Sequence, residues 1–229
     1  MGLDMSLVKM PRFGGTTVAE VSAIESYLSK EEKRDEEYEG MKISEYSLEE
    51  WAGIPESALP DKETIEYYKQ FYTTKYWGFD TEKRYGHKAI MEEIARWRKA
   101  NAIHNWFVEN IQGGEDDCCY HREVGKEDLE ALRDACVKVL EESVMVNSKV
   151  KNGFVIQNGE VKEVFADGEI VINPEVAEEL LPTKNGFFFG STEYSGWYIE
   201  DLKYTAEIID GILKTTDFDK EMIYYSSSW

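Results

Sequence analysis

The segment from Ile94 to Val108 constrains the fold of this chain more than any other stretch, because it places polar residues at helical spacing among large apolar ones. At 100° per residue, a helix through this segment has one face of mixed character. That face consists of Ile94, Trp97, Asn101, His104, Val108 and Ile111. We therefore predict a central helix over about residues 87–112, ended by Gly113-Gly114, in which Asn101 and His104 lie in a buried stripe and meet polar groups from elsewhere in the chain.

Hydrophobic periodicity and capping residues predict the other helices and strands. Leu3, Met5 and Leu7 alternate with polar residues, which indicates a short strand that ends before Pro11. The most regular helical pattern runs from Lys126 to Glu142. Further helices are predicted over 17–28, after the N-cap residue Asp61, over 175–181 and over 198–214, and further strands over 187–189 and 222–225.

Two turn signals lie between apolar runs in the segment 149–172. Asn158-Gly159 separates two runs rich in valine and phenylalanine, and Asp167-Gly168 precedes a third apolar run. Asn-Gly and Asp-Gly at such positions are typical of tight hairpin turns. The segment is therefore predicted to form a three-stranded β-meander.

Together these elements predict a single α/β (α+β) domain over residues 1–229. A small antiparallel or mixed sheet is expected from the N-terminal strand, the Phe187 strand and the C-terminal strand. Three main helices, at about 90–112, 126–142 and 198–214, are expected to pack against it. The segments at about 15–88, interpreted as helical, and 149–172, interpreted as the meander, are expected to be insertions.

The charge balance is strongly acidic, with 46 aspartate and glutamate residues against 26 lysine and arginine residues and a net charge of −20. Such a chain repels phosphate backbones, so direct binding to nucleic acid is disfavoured. Two interpretations remain open. The charge serves solubility alone, or an acidic surface docks onto a basic groove of a partner protein.

Cysteine usage and hydropathy predict a cytoplasmic protein. The three cysteines do not form a disulfide framework, and neither a signal peptide nor a membrane-spanning apolar run is present. Cys118, Cys119 and His121 are close in sequence, but adjacent cysteines rarely reach one tetrahedral ion. We therefore expect no metal and no cofactor, and we interpret Cys136, which lies in an apolar stripe, as a packing residue.

Several blocks of the sequence resemble a family of uncharacterised proteins from phages and prophages of bacteria. These blocks are Met1-Gly2-Leu3-Asp4-Met5, residues 97–104 (WRKANAIH), residues 114–118 (GEDDC), residues 187–194 (FFFGSTEY) and Ser227-Ser228-Trp229. The resemblance covers the extreme N-terminus and most of 90–145 and 174–229, and it leaves out about 15–88 and 149–172. It implies a phage accessory role in the bacterial host cytoplasm, namely host takeover or interference with a host defence system, and it implies no activity.

Polar residues in these blocks are candidates for a ligand site, because cationic, amide, imidazole and carboxylate groups recur within short stretches. If they converge, they suit a ligand that bears phosphate or ribose. The candidate ligand-binding residues are Arg98, Asn101, His104, Asp116, Asp117, Ser191, Thr192, Glu193 and Tyr194. In the competing interpretation, Asn101 and His104 are structural groups that fasten the helix to the sheet, and Arg98 pairs with Asp116 or Asp117. No phosphate-binding glycine loop, nucleophile elbow or HExxH helix is present, and no residue is assigned as catalytic.

Aromatic pairs beside acidic residues indicate a second candidate site, an interface with aromatic anchors and a charged rim. Its candidate partner-binding residues are Tyr67, Tyr68, Tyr72 and Trp77. Three functional hypotheses follow. The first is a non-enzymatic inhibitor of a host defence or nucleic-acid-processing protein, the second a protein that binds or sequesters a nucleotide signal, and the third a hydrolase that uses His104 with a carboxylate.

Overall fold

The computed structural model describes residues 2–77, 85–118, 120–157, 160–186 and 189–229, without the side chains of Trp77, Tyr85 and Phe154. Its helices are α1 (Val18–Glu32), α2 (Leu48–Ala52), α3 (Lys62–Lys69), α4 (Asn101–Asn110), α5 (Lys126–Glu142), α6 (Glu175–Leu180) and α7 (Gly196–Thr215). Its strands are β1 (Asp4–Pro11), β2 (Glu37–Tyr38), β3 (Met41–Lys42), β4 (Thr73–Trp77), β5 (Tyr85–Ala89), β6 (Glu92–Arg98), β7 (Arg122–Val124), β8 (Met145–Gln157), β9 (Glu160–Val171) and β10 (Glu221–Ser228).

The fold is α+β, as the sequence predicts, and its main sheet is a four-stranded antiparallel sheet in the order β6-β1-β10-β7. The N-terminal and C-terminal strands are therefore neighbours, which confirms two of the three predicted sheet strands. Phe187 and Phe188 lie outside the described residues, and Phe189 is buried in a loop. No helix among the described residues has the length and apolar character that a membrane span requires.

The chain divides into two compact units. One comprises Met1–Leu7, Ala95–Thr216 and Tyr224–Trp229, and the other comprises Val8–Ile94 and Asp217–Ile223.

In the first unit, α5 packs against α7. Helix α5 has the predicted bounds, because its apolar residues recur at helical spacing and are fully buried. These residues are Leu129, Leu132, Cys136 and Val139. Nearby, the ring of Phe107 on α4 stacks on that of Tyr225 on β10, with centroids 3.9 Å apart. The indole Nε1 of the buried Trp97 donates to Thr205 Oγ1 on α7 at 2.9 Å.

In the second unit, α3 begins after the predicted capping residue Asp61, and α1 begins after Thr17, which the sequence places inside the predicted helix over 17–28. Thr17 and Glu20 form a reciprocal capping box, and Asp61 accepts a hydrogen bond from the backbone N–H of Thr64. On the buried side of α1, Glu25 Oε1 accepts from the backbone N–H groups of Ile90 and Met91, at 2.6 and 2.8 Å. A helical carboxylate thus fixes the turn between β5 and β6.

The predicted central helix over about 87–112 is wrong in its first half. Residues 85–89 and 92–98 form strands, and helix α4 begins only at Asn101. Along β6 the buried residues alternate with half-buried ones, since Glu93, Ala95 and Trp97 are buried, and this two-residue period belongs to a strand. Lys99, with a φ of 61°, separates the strand from the helix. The helical spacing of Ile94, Trp97 and Asn101 therefore joins two different elements.

A separate antiparallel sheet forms in the second half of the chain, as predicted. It begins at Met145, before the predicted start, and β8 pairs with β9 along their length. Asp167 and Gly168 lie within β9, opposite Lys149 and Ser148, so the turn predicted there is wrong. A bridge between Ile170 and Ser195 adds the third segment. The predicted turn at Asn158-Gly159 lies outside the described residues.

Candidate functional site

A cavity of about 260 Å³ lies in the first unit, and we call it the Lys99 cavity. Its walls are formed by four segments: the C-terminal end of β6, the first turn of α4, the loop before α7 and the first turns of α7. Its lining residues are Arg98, Lys99, Ala100, Asn101, Ala102, Ile103, Thr183, Gly190, Ser191, Glu193, Ser195, Trp197, Tyr198, Asp201 and Leu202. Four of the predicted ligand-binding residues, Arg98, Asn101, Ser191 and Glu193, therefore line one cavity.

Two helix N-termini open onto this cavity. Ala100 precedes α4 and Ser195 precedes α7, and no side chain caps either helix. The first backbone N–H groups of a helix have no partner within the helix and give its N-terminus a partial positive charge. Anions bind at such termini. The cavity thus combines two sets of helix-terminal N–H groups with the side chains of Arg98 and Lys99.

The backbone at the cavity wall adopts an unusual conformation. Lys99 has a φ of 61° and Gly190 a φ of 95°, both in the left-handed region. An added Cβ at Gly190 would lie 3.2 Å from Lys99 Cβ and 3.2 Å from its carbonyl oxygen. Glycine is needed at position 190 for both reasons, since it tolerates positive φ and leaves room for Lys99. A left-handed backbone conformation at a residue other than glycine lowers the stability of the fold, and such residues cluster at ligand sites.

Asn101 holds the loop that forms one side of the cavity. Its Nδ2 donates to the backbone carbonyls of Phe189, at 3.1 Å, and Ser191, at 2.8 Å. Its Oδ1 accepts from the backbone N–H of Lys184 at 3.0 Å. The buried amide therefore acts as a positioning residue, as the structural interpretation of the sequence predicts.

Charged side chains of both signs line the cavity. Arg98 lies 4.0 Å from Asp4, and its side chain is 57% exposed, so the predicted pairing with Asp116 or Asp117 is wrong. The Lys99 ammonium has no ion pair among the described residues. Glu193 Oε2 accepts from the backbone N–H of Lys151 at 2.9 Å, and this bond ties the loop to β8.

Asp201 is the second carboxylate of the cavity. Burial, followed by the charge of the adjacent Glu200, raises the pKa of its carboxyl to about 7. The carboxyl forms no hydrogen bond or ion pair with the described residues, although its backbone carbonyl accepts from Thr205 Oγ1 at 2.6 Å. A partly buried carboxyl without a partner, inside a cavity, is typical of ligand sites.

His104 and Asp116 form a separate polar cluster. The fully buried His104 lies between Tyr225, whose hydroxyl is 2.7 Å from Nδ1, and Asp116, whose Oδ2 is 2.9 Å from Nε2. The indole Nε1 of Trp229 also donates to Asp116 Oδ2, at 3.1 Å. A carboxylate only accepts, so neutral His104 donates from Nε2 and accepts the Tyr225 hydroxyl proton at Nδ1. Burial lowers the pKa of His104 despite the adjacent carboxylate.

The other predicted ligand-binding residues lie outside the cavity lining. Asp117 forms an ion pair with Arg122. The backbone carbonyl of Thr192 accepts from Thr183 Oγ1, while the ring of Tyr194 packs edge-on against Tyr198. The predicted convergence of nine residues is therefore partial.

The aromatic residues predicted as partner anchors mainly pack within the second unit. Tyr68 is fully buried and its hydroxyl donates to the carbonyl of Pro11 at 2.9 Å, so it does not reach the surface. Tyr67 stacks on Phe13 at 4.1 Å. Tyr72 is half-buried, and desolvation raises its pKa. The side chain of Trp77 is not among those that the structure describes.

The described part of the chain, which excludes Cys119, contains no group of three His, Cys, Asp or Glu side chains suited to a metal ion. Cys136 is fully buried in the α5 stripe, and burial raises the pKa of its thiol to about 12. It is a packing residue, as the sequence predicts.

Sequence reasoning missed Lys99, Gly190 and the α7 residues of the cavity. The spacing of Trp197, Tyr198, Asp201 and Leu202 places them on one side of a helix, at i, i+1, i+4 and i+5. A carboxylate inside such an apolar patch is unusual, and this pattern is visible in the sequence.

Comparisons of the chain with protein-family models, with curated proteins and with solved structures find no match. The candidate function therefore depends on the geometry of the cavity.

Proposed function

We propose that this protein binds a small anionic ligand with a planar body, of the nucleotide type, in the Lys99 cavity. The single observation that supports this proposal is that two helix N-termini without side-chain caps open onto one cavity beside Arg98 and Lys99. Backbone N–H groups and cationic side chains together are the usual recognition elements for phosphate. Trp197, which is 72% exposed and lines the same cavity, offers an aromatic surface on which the planar body of the ligand can stack.

The volume of the cavity limits the size of the ligand. Small-molecule pockets usually enclose about 300–1,000 Å³. At about 260 Å³ the Lys99 cavity lies just below this range, which favours a mononucleotide over a dinucleotide. In a phage accessory protein, such binding would sequester a nucleotide signal of the host.

Calorimetric titration of the purified chain with AMP, GMP and inorganic phosphate tests this proposal. We expect saturable binding, and we expect Arg98→Ala and Lys99→Gly each to weaken it about tenfold, because each removes a charge-assisted contact. Glycine is chosen at position 99 because it adopts the positive φ without strain. Lys126→Ala is the matched control, since the Lys126 side chain is 56% exposed and lies outside the cavity. Failure of all three ligands to bind contradicts the proposal.

A second candidate function is inhibition of a host defence or nucleic-acid-processing protein through direct binding. One observation favours it. The hairpin of β8 and β9 exposes apolar side chains, with 50% of Val155, 70% of Ile156, 67% of Val161 and 51% of Phe165 accessible to solvent. Exposed apolar patches often mark protein interfaces, and the net charge of −20 favours a basic partner.

Affinity purification from bacterial lysate, with the wild type and a variant that carries serine at these four positions, tests the second candidate. A stoichiometric complex that the variant does not form, and that weakens as salt rises, supports it. The same complex with both proteins contradicts a role for the hairpin. The hydrolase hypothesis has less support, because His104 is fully buried and does not line the Lys99 cavity.

A further inference from the structure

The carboxyl of Asp201 is the one polar group of the α7 wall whose role the anion-binding proposal does not explain. A phosphate at the helix N-termini is repelled by this carboxylate. Its neighbours on α7 that line the cavity are Trp197, one helical turn earlier, and Tyr198 and Leu202. The carboxyl therefore lies on an aromatic and apolar wall, where a charged group without a partner is costly.

The charges around Asp201 come from three elements. Arg98 and Lys99 lie at the end of β6, Glu193 lies in the loop before α7, and Glu200 is the preceding residue of α7. Arg98 is next to Asp4 and Glu193 binds the Lys151 backbone, so neither compensates Asp201. A ligand group with a complementary donor or acceptor can pair with this carboxyl.

The protonation of Asp201 determines which ligand groups fit. Its pKa of about 7 means that both forms exist near neutral pH. The neutral acid offers one donor beside one acceptor, whereas the carboxylate only accepts. The edges of nitrogen heterocycles present these same patterns, since adenine offers a donor beside an acceptor and guanine offers two adjacent donors.

We infer that Asp201 is the specificity-determining residue of the Lys99 cavity and that it recognises the edge of a purine base that stacks on Trp197. This inference rests on the proposed function, which places the phosphate at Arg98, Lys99 and the helix N-termini. A purine suits the wall better than a pyrimidine, because its larger ring system covers more of the indole. The ligand class is a purine nucleoside monophosphate.

Calorimetric titrations with AMP, GMP, UMP and ribose 5-phosphate test this inference. The wild type should bind AMP and GMP at least tenfold more tightly than ribose 5-phosphate and UMP. Asp201→Leu should weaken AMP and GMP binding about tenfold without weakening ribose 5-phosphate, and the part of the preference that comes from stacking on Trp197 should remain. Asp201→Asn should bind AMP as the wild type does and should bind GMP more weakly. An amide pairs with adenine but offers only one acceptor to the two donors of guanine. Glu207→Gln, which changes an exposed carboxylate of α7 that does not line the cavity, is the matched control and should leave every ratio unchanged.

The outcomes separate the two proposals. If ribose 5-phosphate binds as tightly as AMP and GMP, or if Asp201→Leu leaves the base preference intact, the role of Asp201 is overturned and anion binding stands. If the wild type binds none of the four ligands, or if Arg98→Ala and Lys99→Gly leave their affinities unchanged, the proposed function itself is overturned. Circular dichroism of each variant checks that it folds.

Discussion

Lys99 and Gly190 face each other at the wall of the cavity, and both have left-handed backbone conformations. A Cβ at position 190 would lie 3.2 Å from the Cβ and the carbonyl oxygen of Lys99. The strained lysine follows the last residue of β6, lies in the turn into α4 and approaches a glycine 91 residues later in the chain. Such strain persists only where the surrounding structure enforces it. The arrangement keeps the N-terminus of α4 facing the cavity.

Gly190→Ala should destabilise the protein by about 2 kcal/mol, because alanine is strained at a φ of 95° and its methyl group contacts Lys99. Urea denaturation measures the change. Gly113→Ala is the control, since Gly113 has a φ of 71° but no heavy atom within 4 Å of the point that a methyl group would occupy. Its cost should be about 1 kcal/mol. Equal costs at both positions would show that the contact with Lys99 is unimportant.

Tyr225→Phe should destabilise the protein by about 1–3 kcal/mol. The change removes the hydroxyl 2.7 Å from His104 Nδ1 and leaves a buried acceptor without its donor. The stacking of ring 225 on Phe107 is retained, so the loss measures the removal of the hydroxyl and not of the ring contact. Thermal and urea denaturation provide the measurement. Tyr120→Phe, at a side chain that is 66% exposed, should change stability by less than about 0.5 kcal/mol. If Tyr225→Phe is equally neutral, His104 does not depend on this bond.

Local patterns predicted those elements whose causes are local. Helix α5 follows from a single apolar stripe, and α3 follows from the cap Asp61. The predicted start of α4 is wrong, because residues on β6 and α4 share helical spacing and no local pattern indicates the left-handed conformation of Lys99. The strand pairs 37–42 and 73–89 were likewise not foreseen, since tertiary context overrides their weak propensities.

The sequence predicts which polar side chains of the candidate site are buried, but not which groups they contact. The sequence indicates that the amide of Asn101 is buried and satisfied, and this is what the structure contains. Its partners, the backbones of Phe189, Ser191 and Lys184, lie more than 80 residues away, and only the folded chain brings them together. The sequence predicts His104 in the same site, whereas its ring contacts Asp116 and Tyr225. Spacing along a helix gives the face of a side chain and not its neighbours.

Glu25→Ala should destabilise the second unit by about 2–3 kcal/mol, because the backbone N–H groups of Ile90 and Met91 lose their shared acceptor. Hydrogen–deuterium exchange should show faster exchange at these two amides, in addition to a lower midpoint in urea. Glu31→Ala changes an exposed carboxylate on the same helix and is the matched control. Unchanged protection of Ile90 and Met91 would contradict the role of Glu25.

The stability of the ligand-free protein should depend on pH through Asp201. Its pKa rises from 3.8 when unfolded to about 7 when folded, so between these values the folded state binds more protons than the unfolded state. Stability from this group is therefore fully present below about pH 4 and is lost as the pH rises to about 7. The full pKa difference corresponds to about 4 kcal/mol, and solvent near the carboxyl reduces the expected effect to about 2 kcal/mol.

Asp201→Asn tests this dependence, because the amide stays neutral at every pH. The variant should be more stable than the wild type by about 2 kcal/mol at pH 8, and this advantage should shrink steadily towards pH 4. His104, whose pKa is lowered by burial, contributes the opposite slope below about pH 6.5, but it is present in both proteins and cancels in the difference. Urea midpoints across pH 4–8 provide the measurement. A difference that does not vary with pH would show that the carboxyl is ionised throughout and that solvent satisfies it.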